Sequence, residues 1–378
     1  MIQEPKSDQP TSSLLQEHID TGDFPSAVYL VAEHDQIVFT DALGDAVREP
    51  EKIPATADTI YDLASLTKPL VTGLLCARRI ELGELTLDSS VSHYLPEFDR
   101  TDKQAITVRE LLTHTSGLPA WRPLYLLAEG KRDAAIGAIA SEQLEYAPGT
   151  RVVYSDLGFI ALGFLLERMI GASLVELARR EIIEPLKFNS TFFNPSPSFR
   201  NRIAASEKGN AYERNTTGEQ TPDDSNADSI AWREQVIWGE VHDGNAYFLG
   251  GAAGHAGLFS TARETLRLAE QFLAQRSQLL KPETCALFTT NMTPGLEEDR
   301  SISWQLASKK DSTAGPSLSP DSFGHTGFTG TSCWIDPHLE RVFILLTNRT
   351  HAHSLPFANI NGVRREFHSR AVAALEGR

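Results

Sequence analysis

The sequence predicts an α+β chain: an antiparallel β-sheet flanked by helices and interrupted by an inserted all-helical lobe. Three observations predict it. Strand-like runs stand at both ends of the chain, at 27–32 and 36–40 and again at 331–335 and 342–347. Helical signals dominate the stretch between them. The 378 residues, 41% of them hydrophobic, suffice for a large buried core.

In chain order, residues 1–12 are polar and expected to be flexible. Residues 13–378 then read as a single domain. Its sheet lobe spans about 13–62 and 245–378, and its helical lobe about 63–244. A helix starts near 14–19. The strands 27–32 and 36–40 are joined by a tight turn at His34-Asp35. From 65 to 82, Leu70, Leu74 and Ala77 recur at helical spacing, and Gly83 stops that helix. Residues 85–130 read as short helices and loops. The strongest helix signal covers 156–170, with Ile160, Phe164 and Leu165 on one face and Gly171 at its end. Ser173 caps a second helix running to about 183. Residues 200–240 are polar and irregular, a loop of the length that serves as a lid, with Trp232 and Trp238 as its anchors. Ser260 or Thr261 caps a helix to about 275. Asp336-Pro337 joins the last two strands, and a helix over 361–375 closes the chain.

Charge excludes some functions. Lys+Arg number 35 against 50 Asp+Glu, a net charge of -15, the wrong sign for nucleic acid or an anionic membrane. No apolar run is long enough to span a bilayer. The partner expected is a small molecule or a peptide substrate. Cys76, Cys285 and Cys333 lie far apart without a C-x-x-C pair, so they read as buried reduced thiols. The first residues carry neither a basic nor an apolar leader segment. A cytoplasmic location is the expectation, with a periplasmic or secreted one for a chain whose leader has been removed.

Three short motifs carry chemistry. In Ser65-Leu66-Thr67-Lys68, positions i and i+3 share a helix face, so the hydroxyl meets the amine. A serine needs such a neighbour to become a nucleophile, and a lysine serves as base if burial or nearby cations lower its pKa. The second motif is Tyr154-Ser155-Asp156, at the start of the strongest helix. A phenol whose pKa is lowered by a lysine passes protons to and from the serine oxygen. Asp156 or Ser155 alternatively serves only as the helix cap. The third is His325-Thr326-Gly327, in a glycine-rich strand against which a substrate backbone lies closely. The N–H of Phe328, just beyond, pairs with that of Ser65 as an oxyanion hole.

In this order the motifs resemble the penicillin-recognising serine enzymes, with their S-x-x-K, Y-x-N and K-T-G. The tyrosine places the chain nearest class C β-lactamases, D-alanyl carboxypeptidases of that branch and their esterase relatives. Leu85-Thr-Leu-Asp88, the stretch from Leu111 to Pro119, Tyr146-Ala-Pro-Gly149 and the stretch from Gly254 to Thr261 resemble the same family. The resemblance runs from about residue 23 to about 350. It implies a β-lactamase/transpeptidase-like fold and a hydrolase that needs no cofactor. It makes Ser65 the acylated nucleophile, Lys68 its activating partner and Tyr154 the base or proton shuttle. His325 stands where the family has lysine, and Phe328 and Gly327 border the oxyanion site. Two departures matter. Asp156 replaces an asparagine, and a carboxylate cannot donate to a substrate carbonyl. His325 is mostly neutral at pH 7, so a substrate carboxylate is less well served. Both favour an esterase, amidase or D-amino peptidase over a β-lactamase. The rivals are a slowly acylating penicillin-binding sensor and a non-catalytic scaffold.

Outside the motifs, His242, Asp243 and Asn245 are expected at the mouth of the site, touching substrate. With His255 they also suggest a metal, but their spacing resembles no zinc motif, so no metal is expected. His114 is read as structural.

Overall fold

The computed structural model describes residues 6–100, 102–220, 232–308 and 312–378. Its sheet runs through β1 (Ser26–Glu33), β2 (Gln36–Val47), β3 (Ile53–Pro54), β6 (Gln305–Leu306), β7 (Phe323–Thr326), β8 (Ser332–Asp336) and β9 (Arg341–Thr347). The order across it is β3-β2-β1-β9-β8-β7-β6, and its pairs are antiparallel. The first and last strands of the chain therefore meet at its centre, where Ala27 faces Thr347. A short pair, β4 (Tyr61–Asp62) with β5 (Phe259–Ser260), ties the entry of the helical lobe to its exit.

The central strands alternate between two cores, as a period of two requires. Val28, Leu30 and Ala32 of β1, with Val342, Ile344 and Leu346 of β9, face the helical lobe. Ala27, Tyr29 and Val31, with Phe343 and Leu345, face the outer helices α1 (Gln9–Thr21) and α7 (Asn361–Glu376). The turn at His34-Asp35 is present, with His34 at φ 57.

Helix α1 starts at Gln9, inside the stretch expected to be flexible. Asp8 caps it through Thr11 N–H, Pro10 suits its first turn, and Thr11, Leu14 and Leu15 are buried. The helix predicted over 65–82 is three pieces: a 3-10 turn at Ala64–Leu66, a π-type stretch at Lys68–Gly73 and α2 (Leu74–Glu81). Pro69 has no N–H to give an α-helical ladder, which accounts for the break. Helix α3 (Asp156–Ile170) has the predicted bounds, with Ser155 as its cap and Gly171 left-handed at φ 73. Within the expected loop at 200–240 lies another helix, α4 (Ala211–Gln220). Trp238 is buried and donates to the Ile203 carbonyl, and Trp232 packs edge-on against Tyr125. Residues 221–231 of that stretch lie outside the described residues. Helices α5 (Gly244–Phe248) and α6 (Ala262–Ala269) complete the frame, and Thr261 caps α6. Among the described residues no single helix is long and apolar enough to cross a membrane.

Candidate active site

Ser65 stands on the 3-10 turn that leaves β4. Ala64 before it has φ 47, a conformation disfavoured for a residue with a Cβ, and Asp62 holds it by accepting from Ala64 N–H at 2.8 Å. One turn on, Lys68 is fully buried. Its ammonium donates to Ser65 Oγ at 3.0 Å and to the His255 carbonyl at 3.1 Å, and lies 2.7 Å from Asp156 Oδ1. Burial pushes the Lys68 pKa down, but the Asp156 carboxylate and Tyr154 outweigh it, and the net shift is upward. Lys68 is a protonated donor here, not the deprotonated base that burial alone would make.

Tyr154 comes from the loop before α3, which places its ring 4.8 Å from the Lys68 ammonium. Its hydroxyl is buried with no hydrogen-bond partner among the described residues. The expectation of a lowered phenol pKa is overturned. Burial raises it, Lys68 opposes, Asp156 adds to the rise, and the net shift is upward. Having a carboxylate at 156 cancels much of what the lysine would do.

His114 is the platform under Tyr154, its ring centroid 4.6 Å away. Its Nδ1 accepts from Ser155 N–H at 3.0 Å, and burial holds its pKa well below the usual value. His325 is likewise neutral, through burial and the nearby Lys68 and Arg300 cations. Its Nδ1 lies 2.8 Å from the Thr326 carbonyl, so Nδ1 carries the proton and Nε2 is a buried bare acceptor.

Ser65, Tyr154, Asp156, His325, Gly327 and Phe328 line one cavity of about 620 Å³. Gly327 permits the close approach of β7 to the serine turn. A Cβ there would stand 2.1 Å from Thr331 Oγ1 and 2.6 Å from the Leu63 carbonyl. Thr329 and Thr331 donate across the same seam, to the carbonyls of Asp62 and Leu63.

Asn245 is not at the mouth. It is fully buried, its Nδ2 donating to the Arg122 carbonyl and its Oδ1 accepting from Leu124 N–H, so both ends of the amide are spent on packing. His242 and Asp243 do line the cavity. The two histidines pair with different carboxylates: His242 with Glu207 at 3.0 Å, His255 with Asp243 at 2.8 Å. Asp156, Asp243 and His255 offer ligand atoms within 4.8 Å of one another. The Lys68 ammonium already sits against Asp156 there, supplying the positive charge such a cluster calls for.

Two cavity residues carry no signal in the sequence. Arg300 is buried; its Nη2 donates to Glu298, while Nε and Nη1 have no acceptor among the described residues. Its guanidinium stands 5.7 Å from the Tyr154 ring centroid. Glu213 of α4 accepts from Gly244 N–H, and burial beside Asp243 pushes its pKa up to about 7.

A family model described as Beta-lactamase matches residues 11–363. The chain belongs to the Beta-lactamase family. Within it, the chain is 30% identical over 367 residues to "Putative D-alanyl-D-alanine carboxypeptidase" of Escherichia coli (strain K12), covering 89% of this chain and 81% of that one. It is 32% identical over 358 residues to N-acetylmuramyl-L-alanine amidase of Bacillus subtilis (strain 168), covering 87% and 78%. The solved structure of EstCE1, a hydrolase with promiscuous acyltransferase activity, superposes with a TM-score of 0.72 at 23% identity, covering 96% and 97%. Beta-lactamase relatives are thus hydrolases of more than one bond type, and their shared fold puts the sheet edge at β7 beside the serine turn seen here.

Proposed function

We propose that the protein is a serine hydrolase working through an acyl-enzyme at Ser65, on esters, amides or D-amino peptides. The observation that carries this is the buried Lys68 ammonium, which donates to Ser65 Oγ and is held by Asp156. A cation at that distance stabilises negative charge developing on the serine oxygen. The N–H groups of Ser65 and Phe328 then receive the substrate oxyanion.

Because Lys68 is charged and the Tyr154 phenol is neutral, the proton moves by relay. Ser65 gives its proton to Tyr154 Oη as it attacks the carbonyl. Tyr154 gives its own proton to the departing oxygen or nitrogen. Water completes turnover by the same route in reverse. His325 brings no positive charge to a substrate carboxylate, but the unpaired N–H groups of Arg300 do. That supports an anionic, peptide-like substrate alongside simple esters.

The test is turnover of a short-chain p-nitrophenyl ester, with Ser65→Ala beside it. Turnover lost in the variant is the expected result. Equal rates in both would remove Ser65 as the nucleophile. Acylation in a burst without turnover would favour a sensor instead.

A further inference from the structure

Arg364 lies on α7, far from every motif in the sequence, yet it is buried behind the β7 seam. Its Nη2 donates to the carbonyls of Gly327 and Thr331, both at 3.0 Å, and its Nη1 donates to Asn361 Oδ1 at 2.8 Å. The Gly327 carbonyl and the Phe328 N–H belong to one peptide unit. In a trans peptide they point in opposite directions. The guanidinium therefore draws the carbonyl away from the cavity and turns the Phe328 N–H towards it. Among the described residues, that N–H donates to no other backbone or side-chain group, while Gly330 N–H also binds the Gly327 carbonyl. A cation on the oxygen end of a peptide also polarises its N–H, strengthening the hydrogen bond it gives.

We infer that Arg364 is the positioning residue of the oxyanion site, acting on the transition state through the Gly327–Phe328 peptide without touching substrate. This rests on the acyl-enzyme reading above. Burying a guanidinium here is costly: desolvation, with Arg349 nearby, pulls its pKa down to about 9. Its acceptors are chiefly carbonyls of the seam, so its charge is spent on this loop. Arg349 holds the next peptide in the same way, donating to the Phe328 carbonyl at 2.7 Å.

The experiment compares Arg364→Met, Arg364→Lys and Asn361→Ala with the native protein and Ser65→Ala. The readouts are kcat and KM for a p-nitrophenyl ester, and the inhibition constant of an alkyl boronic acid, whose tetrahedral adduct occupies the oxyanion position. The expected result for Arg364→Met is a fall of about tenfold or more in kcat with KM held, below the loss seen when an oxyanion donor is deleted outright. The boronate should weaken by the same factor. Arg364→Lys should recover part of both, because a cation stays near the carbonyl. Asn361→Ala, which frees the guanidinium on one side only, should lose a smaller factor and serves if Arg364→Met does not fold. Native kcat and boronate affinity in Asn361→Ala and in the folded Arg364 variants would overturn the inference while leaving Ser65 as nucleophile. So would a rise in KM with boronate affinity unchanged. Ser65-independent turnover would instead overturn the acyl-enzyme reading, and this inference with it.

Discussion

Asp156→Asn is the most informative single change, because it separates two effects that the carboxylate joins. The pair it breaks is 2.7 Å long and one partner is fully buried. At an effective dielectric of about 20, the gross attraction at that distance is about 6 kcal/mol. Desolvation of the buried ammonium offsets much of this, and the amide keeps an acceptor oxygen. The expected cost is therefore about 3 kcal/mol, the low end for breaking a buried pair, read from urea unfolding. The second effect is on the proton path. Asp156 raises the phenol pKa of Tyr154, and Lys68 lowers it. With the carboxylate gone and the ammonium still present, the phenol pKa falls. Tyr154 then ionises at lower pH, and the rising limb of kcat/KM for an ester moves towards acid. The assay is that profile from about pH 5 to about pH 10 for both proteins. A rising limb that stays in place, or moves towards alkali, would refute the account of how Asp156, Lys68 and Tyr154 are coupled.

Arg300→Met should leave KM for an uncharged ester unchanged and raise it about 10- to 100-fold for a substrate ending in a carboxylate, the worth of a charge-assisted hydrogen bond. Equal KM values for native and variant on both substrates would place the anion elsewhere. Glu213→Gln tests the acidic wall of the cavity by stability alone. A carboxyl raised from 4.5 to about 7 favours folding below the first value, and that contribution is lost as pH rises through the second. The native melting temperature should therefore carry a downward slope across that interval which the variant lacks. Parallel curves would sink the assignment.

The chemistry was more legible than the geometry that tunes it. Ser65 and Lys68 come together as the spacing predicts, even though the backbone is 3-10 and then π-type around Pro69, because i and i+3 are neighbours in each of these windings. The strands were legible because β-branched and aromatic residues cluster in 26–33 and 341–347. Helix α4 was not, since Asn215, Thr216, Thr217 and Gly218 are weak helix formers. The Tyr154 shift was misjudged because the sequence shows which residue stands at 156 but not that burial dominates. Asn245 was misplaced because a polar residue next to two candidates reads as a third, whereas its amide bridges Arg122 and Leu124. Arg300 and Arg364 are ordinary arginines until the fold buries them. Nothing local marks a guanidinium whose partners are the carbonyls of Gly327 and Thr331.

The pairing of β1 with β9 has a consequence for how activity first arises. Ser65 is synthesised early, but Gly327 and Phe328 follow more than 250 residues later, and the strand that seats β8 beside β1 comes last of all. Closing so long a loop is slow relative to forming local helices. A nascent chain thus carries its serine and lysine without an oxyanion site to use them. The catalytic centre is assembled in the final act of folding, and hydrolysis becomes a direct report that the whole chain has reached its native topology.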